Sequence, residues 1–137
     1  MVCPLPEYAR ARVPRPRFVK SIAPLVLVLA VCALTGTAAG HAMLQRTEPR
    51  VESRVKRSPD EVKLYFTEPL EPAYSSVRVV NDRGGQVDRG DSRVDRSNPV
   101  LLRVTLPALP PGTYRVRWRV LSIDADVTEG GFAFRVE

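Results

Sequence analysis

The sequence predicts an all-β fold: an immunoglobulin-like antiparallel β-sandwich of about seven strands joined as a Greek key. Three observations predict it. From residue 41 onward, apolar and polar residues alternate in short runs, the period of a half-buried strand, and helical spacing is missing. Pro, Gly, Asn and Asp break these runs at turn-like intervals. Six or seven such strands in the 97 residues from 41 to 137 suit two packed sheets, each burying one face.

Residues 1–40 read differently. Arg10, Arg12, Arg15, Arg17 and Lys20 form a basic leader, followed by the apolar run "LVLVLAVCAL" at 25–34 and the small-residue tail "TGTAAG". Basic, apolar and small, in that order, is the layout of a secretory signal peptide. The apolar run falls short of the roughly 20 residues of a membrane span, although a retained anchor is the alternative. Ala38 and Gly40 suit the small-residue places before a cut, which predicts cleavage between Gly40 and His41 and a mature domain at 41–137. Both cysteines, Cys3 and Cys32, then leave with the leader, so the domain reaches an oxidising compartment with no disulfide and no thiolate metal site. The charge falls as well. Losing five basic residues and Glu7 leaves 16 Lys and Arg against 14 Asp and Glu, a net +2, which is no footprint for nucleic acid.

A short strand is predicted through "AMLQRTEP". "EVKLYF" turns Val62, Leu64 and Phe66 inward against Glu61, Lys63 and Tyr65, and "SSVRVVND" sets Val77 and Val79 about Arg78. "NDRGGQVDRGDSRVDRSNP" has no apolar period and reads as a long loop or irregular edge strand. "VLLRVTL" follows it. "TYRVRWRVLS" is the clearest strand, with Tyr114, Val116, Trp118 and Val120 on one face and Arg115, Arg117 and Arg119 on the other. Trp118 is expected in the core between the sheets and the arginines on a solvated outer face. "GGFAFRVE" closes the chain with Phe132, Phe134 and Val136 in phase.

No phosphate loop, nucleophile elbow or HExxH motif occurs, and one histidine without a mature cysteine leaves little for Ser/His or Cys/His catalysis. That histidine, His41, becomes the first residue if the cut follows Gly40. Its α-amine and imidazole can then close one chelate ring, a nitrogen pair that suits Cu(II). An internal histidine has only an amide beside it. The pair does not complete a coordination sphere, so carboxylates at strand ends are the candidate partners. "SIDADVTEGG" offers Asp124 and Asp126, which point the same way if the segment is extended. Glu68 in "YFTEPLEP" is a third. The same residues also read as turn formers and a surface charge.

The mature chain resembles the CopC family of exported copper-binding, copper-resistance proteins. "HAML" is similar to that family's "HAxL" opening, and "EPRVESRV", "VKLYFTEPLEP" and "LPPGTYRVRWRVLSIDAD…GGFAFRV" resemble its later segments in order. The resemblance implies an immunoglobulin-like sandwich holding Cu(II) with an N-terminal histidine, an aspartate and a second histidine. His41 matches the first, Asp124 the second, and Glu68 a glutamate expected beside the site. Where the family has its second histidine, this chain has Asp126. Carboxylate is a poorer donor to Cu(II) than imidazole, so a weaker and more pH-sensitive site is expected. A methionine-rich Cu(I) site is not expected, since Met43 is the sole mature methionine.

The function implied is copper carriage in resistance or homeostasis, in the periplasm or extracytoplasmic envelope. The expected protein is a monomer working beside a separate membrane copper transporter, with no catalysis. A copper-free interaction module with a degraded metal site is the alternative. A copper oxygenase with a histidine brace ranks behind both, because the brace needs a second histidine.

Overall fold

The computed structural model describes residues 41–137; the predicted leader and its cut lie outside the described residues. Eight strands form, in chain order: β1 (Leu44–Glu48), β2 (Arg54–Val55), β3 (Glu61–Phe66), β4 (Ser76–Val80), β5 (Arg93–Val94), β6 (Leu101–Thr105), β7 (Gly112–Leu121) and β8 (Val127–Val136). A single 3-10 turn, Pro72–Tyr74, precedes β4. One sheet has the order β1-β3-β6-β5 and the other β2-β8-β7-β4. The β3–β4 and β6–β7 connections therefore cross from sheet to sheet, and the all-β sandwich read from the alternation is the architecture found.

Every pairing is antiparallel except β2 with β8, which is parallel. The two strands that the sequence did not resolve, β2 and β5, have two residues each. Two residues cannot display a period. β5 lies inside the segment read as a loop or irregular edge strand and sits at the edge of its sheet.

The core is what the alternation predicted. Val62, Leu64 and Phe66 of β3 face Val77, Val79, Tyr114, Val116, Val120, Phe132 and Phe134 of the opposing sheet. Burying such side chains contributes roughly 1.5–3 kcal/mol each and is the main force holding the sheets together. Trp118, expected in the core between the sheets, is instead half-buried and packs against this core from the side of Phe66. Its ring meets Phe66 edge to face, with centroids 5.1 Å apart. Its partner on β8 is Gly130, and the indole covers the space a side chain there would take. The Trp118 N–H is buried without an acceptor among the described residues, and nothing in the structure explains it.

At the other end of β7, the Tyr114 hydroxyl donates to the carbonyl of Pro110 at 2.6 Å. This bond ties "ALPPGTY" to the strand it introduces, the tyrosine corner of immunoglobulin-like sandwiches. Burial raises the Tyr114 pKa above the ordinary phenol value, which keeps the hydroxyl a donor.

Candidate metal centre

The first three described residues form an arm across one end of the sandwich. Ala42 is fully buried, while His41 and Met43 on either side are exposed. Two threonines from different sheets hold the arm. The Thr67 hydroxyl, just past β3, accepts the Met43 N–H at 3.0 Å and donates to the His41 carbonyl at 3.4 Å. The Thr67 N–H donates to the Met43 carbonyl at 2.9 Å. From the other sheet, the Thr128 hydroxyl donates to the Ala42 carbonyl at 2.9 Å. Small apolar Ala42 fills the seam, and the bonds around it fix where His41 stands.

Opposite the arm is the β7–β8 turn. The Ala125 N–H donates to the Ser122 carbonyl at 3.0 Å and the Ser122 N–H to the Asp126 carbonyl at 2.9 Å. The fully buried Ser122 hydroxyl accepts the Asp126 N–H at 3.2 Å. Ala125 takes a left-handed conformation, φ 67°, to close this turn. The segment is therefore not extended, and the expectation that Asp124 and Asp126 point the same way by strand alternation does not hold. Asp124 lies exposed in the turn, whereas Asp126, after the left-handed residue, is partly buried.

His41 and Asp126 meet. The histidine Nδ1 lies 3.5 Å from Asp126 Oδ2. That oxygen is buried and has no hydrogen-bond partner among the described residues. A buried carboxylate oxygen without a donor is costly, and a cation between the two groups would satisfy it. Two bonds of roughly 2 Å, the usual length from a transition metal to imidazole or carboxylate, span such a gap. Nδ1 is also the ring nitrogen nearer the backbone, the one that can share an ion with the residue's own amine. On these observations the donor set fits a borderline cation.

Glu68 follows Thr67 and is half-buried. Its loop runs beside the turn, since the Ile123 N–H donates to the Pro69 carbonyl at 3.1 Å and Leu70 bridges to Ser122. Neither Glu68 nor Asp124 joins the His41–Asp126 pair closely enough to make a cluster; no group of three or more His, Cys, Asp or Glu side chains converges among the described residues. A broad concavity lined by Leu70, Pro72, Val94, Arg96 and Pro99 lies elsewhere and includes none of the four predicted residues. Sequence reasoning missed Thr67, Thr128 and the buried role of Ala42. For Ala42 a signal existed, a small apolar residue between two larger ones at the start of a strand pattern. For the threonines there was none.

A family model described as the CopC domain matches residues 44–137. The chain is 28% identical over 113 residues to the copper transport protein CutJ of Bacillus subtilis, an alignment that covers 82% of this chain and only 21% of that longer protein. It is 27% identical over 124 residues to copper resistance protein C of Xanthomonas campestris pv. juglandis, covering 86% of this chain and 97% of the other. Of solved structures, CopC from Methylosinus trichosporium OB3b superposes with a TM-score of 0.63 at 35% identity, over 71% of this chain and 94% of that one. PcoC, a methionine-rich copper resistance protein from Escherichia coli, gives 0.61 at 26% identity, over 72% and 100%.

Proposed function

The chain belongs to the CopC domain family, and from that premise we propose that it is an exported copper-binding protein that carries Cu(II) in copper resistance or homeostasis. The observation that carries the reading is the meeting of His41 Nδ1 with the buried, unpartnered Oδ2 of Asp126. The relatives named for copper transport and copper resistance support it. Copper here is cargo, and no bond of a substrate is made or broken.

In this reading the peptidase frees the His41 amine, and amine and Nδ1 chelate the ion together. Asp126 contributes a third donor and a negative charge. Asp124, two residues before Asp126, and Glu68, next to Thr67, are the remaining oxygen donors, and each would have to close on the ion as it loads. The set is poorer in nitrogen than one with two imidazoles, so the ion is held less tightly and handed on more readily, in the envelope, to a separate membrane copper transporter. Nitrogen donors bind metal only when deprotonated, so affinity falls in acid.

The test compares protein starting at His41 with the same protein carrying one extra residue ahead of it. Near-stoichiometric Cu(II) uptake with nitrogen couplings in the electron spin resonance spectrum is expected of the first. At least about tenfold weaker uptake is expected of the second, because a blocked amine loses the chelate ring. Equal affinities would overturn the proposal. A second reading, a copper-free interaction module, is favoured by the absence of a third converging donor among the described residues. It requires that added Cu(II) leave the melting temperature unchanged, since a ligand of the folded state must raise it.

A further inference from the structure

The two sheets treat their outward-facing charges in opposite ways. On the outer face of β1-β3-β6-β5, Arg46, Lys63, Arg93 and Arg103 are each paired with an acid: Glu48, Glu61, Asp91 or Asp95. The outer face of β2-β8-β7-β4 carries Arg54, Arg78, Arg115, Arg117, Arg119 and Arg135, all exposed. Among the described residues only Arg119 has an acidic partner, Glu129 at 3.8 Å. Glu52, at the β8 edge, receives the Ala133 N–H instead.

The arginines also face one another. Arg78 is the cross-strand partner of Arg117, and Arg54 of Arg135. Like charges directly opposite in a sheet destabilise it, and among the described residues neither the Arg78–Arg117 nor the Arg54–Arg135 contact has an ion pair, since Glu129 pairs with Arg119. The arginines on β7 are spaced two residues apart, roughly 7 Å. Between them β8 contributes Gly131 and Ala133, opposite Arg117 and Arg115, which leaves a low floor beneath the guanidinium heads.

We propose that this sheet face docks on an anionic phospholipid bilayer. The fit is one of charge and shape. A sheet face bearing five guanidinium groups without an acidic partner among the described residues matches a surface of repeated phosphate anions, each able to take charge-assisted hydrogen bonds. No aromatic side chain stands on the outward positions of these strands, so the stacking that single-stranded nucleic acid requires is missing. An acidic protein partner would complement the charge, but the regular two-residue spacing of the arginines on β7 suits a repeating array of phosphates. The proposal goes beyond copper carriage and does not depend on it.

The experiment uses protein starting at His41, with chelator present so that copper plays no part, and vesicles of phosphatidylcholine with or without phosphatidylglycerol. Sedimentation with the phosphatidylglycerol vesicles alone is expected, and its loss at high salt. The double variant Arg117→Glu/Arg135→Glu places acids opposite Arg78 and Arg54, so the sheet gains opposite-charge pairs and folding is kept. Its vesicle binding should fall at least about tenfold. Arg83→Glu/Arg89→Glu changes the net charge equally outside the face and should bind as the parent does. Equal loss in both double variants, or no preference for the anionic vesicles, would overturn the proposal. Retention on polyglutamate without binding to vesicles would overturn it in favour of an acidic protein.

Discussion

Ala125 is where the chain departs most clearly from what its backbone needs. Its φ of 67° lies in the left-handed region, which costs a residue with a Cβ about 1–2 kcal/mol and costs glycine almost nothing. Part of that gain is returned through the greater freedom of glycine in the unfolded chain. Ala125→Gly is expected to stabilise the domain by about 0.5–1 kcal/mol, seen as a melting temperature a few degrees higher; an unchanged or lower midpoint would contradict the turn geometry. The same residue shows how far the candidate site was legible. His41 could be picked out by position, because a lone histidine behind a peptidase motif is a chemical signal. Asp126 could be picked out as an acid near a strand end. That Asp126 rather than Asp124 meets the histidine was not legible, because a left-handed residue between them breaks the two-residue alternation on which strand readings depend. The threonine hydroxyls that position the arm bond to main-chain carbonyls, and such bonds leave no pattern in a sequence.

The β7–β8 hairpin is the longest paired element, ten residues on each strand. Its inward row was legible because ten residues show a period clearly. What the period could not show is why a glycine stands in that row. A Cβ at Gly130 would lie 2.6 Å from Cζ2 of Trp118, and the indole is itself held against Phe66. Gly130→Ala must therefore displace a rigid ring, and such overpacking costs about 1–3 kcal/mol. Denaturant titration should show a lower midpoint, with a changed near-ultraviolet signal from Trp118; a wild-type value on both would mean the ring moves freely. The shortest elements were the least legible. β5 was hidden in a polar segment whose acids work in the structure. Asp88 accepts the Val79 N–H at 2.7 Å, and Asp91 receives both the N–H and the hydroxyl of Thr105. These are turn-forming residue types used as sheet edges, and their choice of partner is made by tertiary packing.

Across the whole molecule, the acids paired with Lys or Arg concentrate on one sheet, and this gives the fold a definite response to acid. Asp95 is held at about 2, below its ordinary 3.8, first by the Ser97 hydroxyl and then by Arg103. Burial pushes Glu61 up, but hydrogen bonds from Arg103 and Lys63 outweigh it and the net shift is down. The Thr105 hydroxyl lowers Asp91 against its burial. Each folded value lies below the unfolded one, so the unfolded chain takes up these protons first. The stabilisation is complete above the ordinary carboxylate range and is lost as pH falls toward about 2. Thermal melts should therefore show a falling midpoint over that interval. Arg103→Met should melt lower than the parent near neutrality, and the gap should narrow at the acid end. A gap independent of pH would show that Arg103 acts through packing alone.

Ala42 sits sealed in the seam between the sheets, the second residue after the Gly40–His41 bond at which cleavage is proposed. A protease grips its substrate as an open strand on both sides of the bond it cuts, and a seated Ala42 is out of its reach. On the proposed cut after Gly40, export and maturation would follow a fixed order: the leader would have to be removed while this end of the domain is still loose, and the sandwich would close over the new terminus afterwards. A precursor that closed first would keep its leader, and with it an amide where the proposed chelate needs an amine.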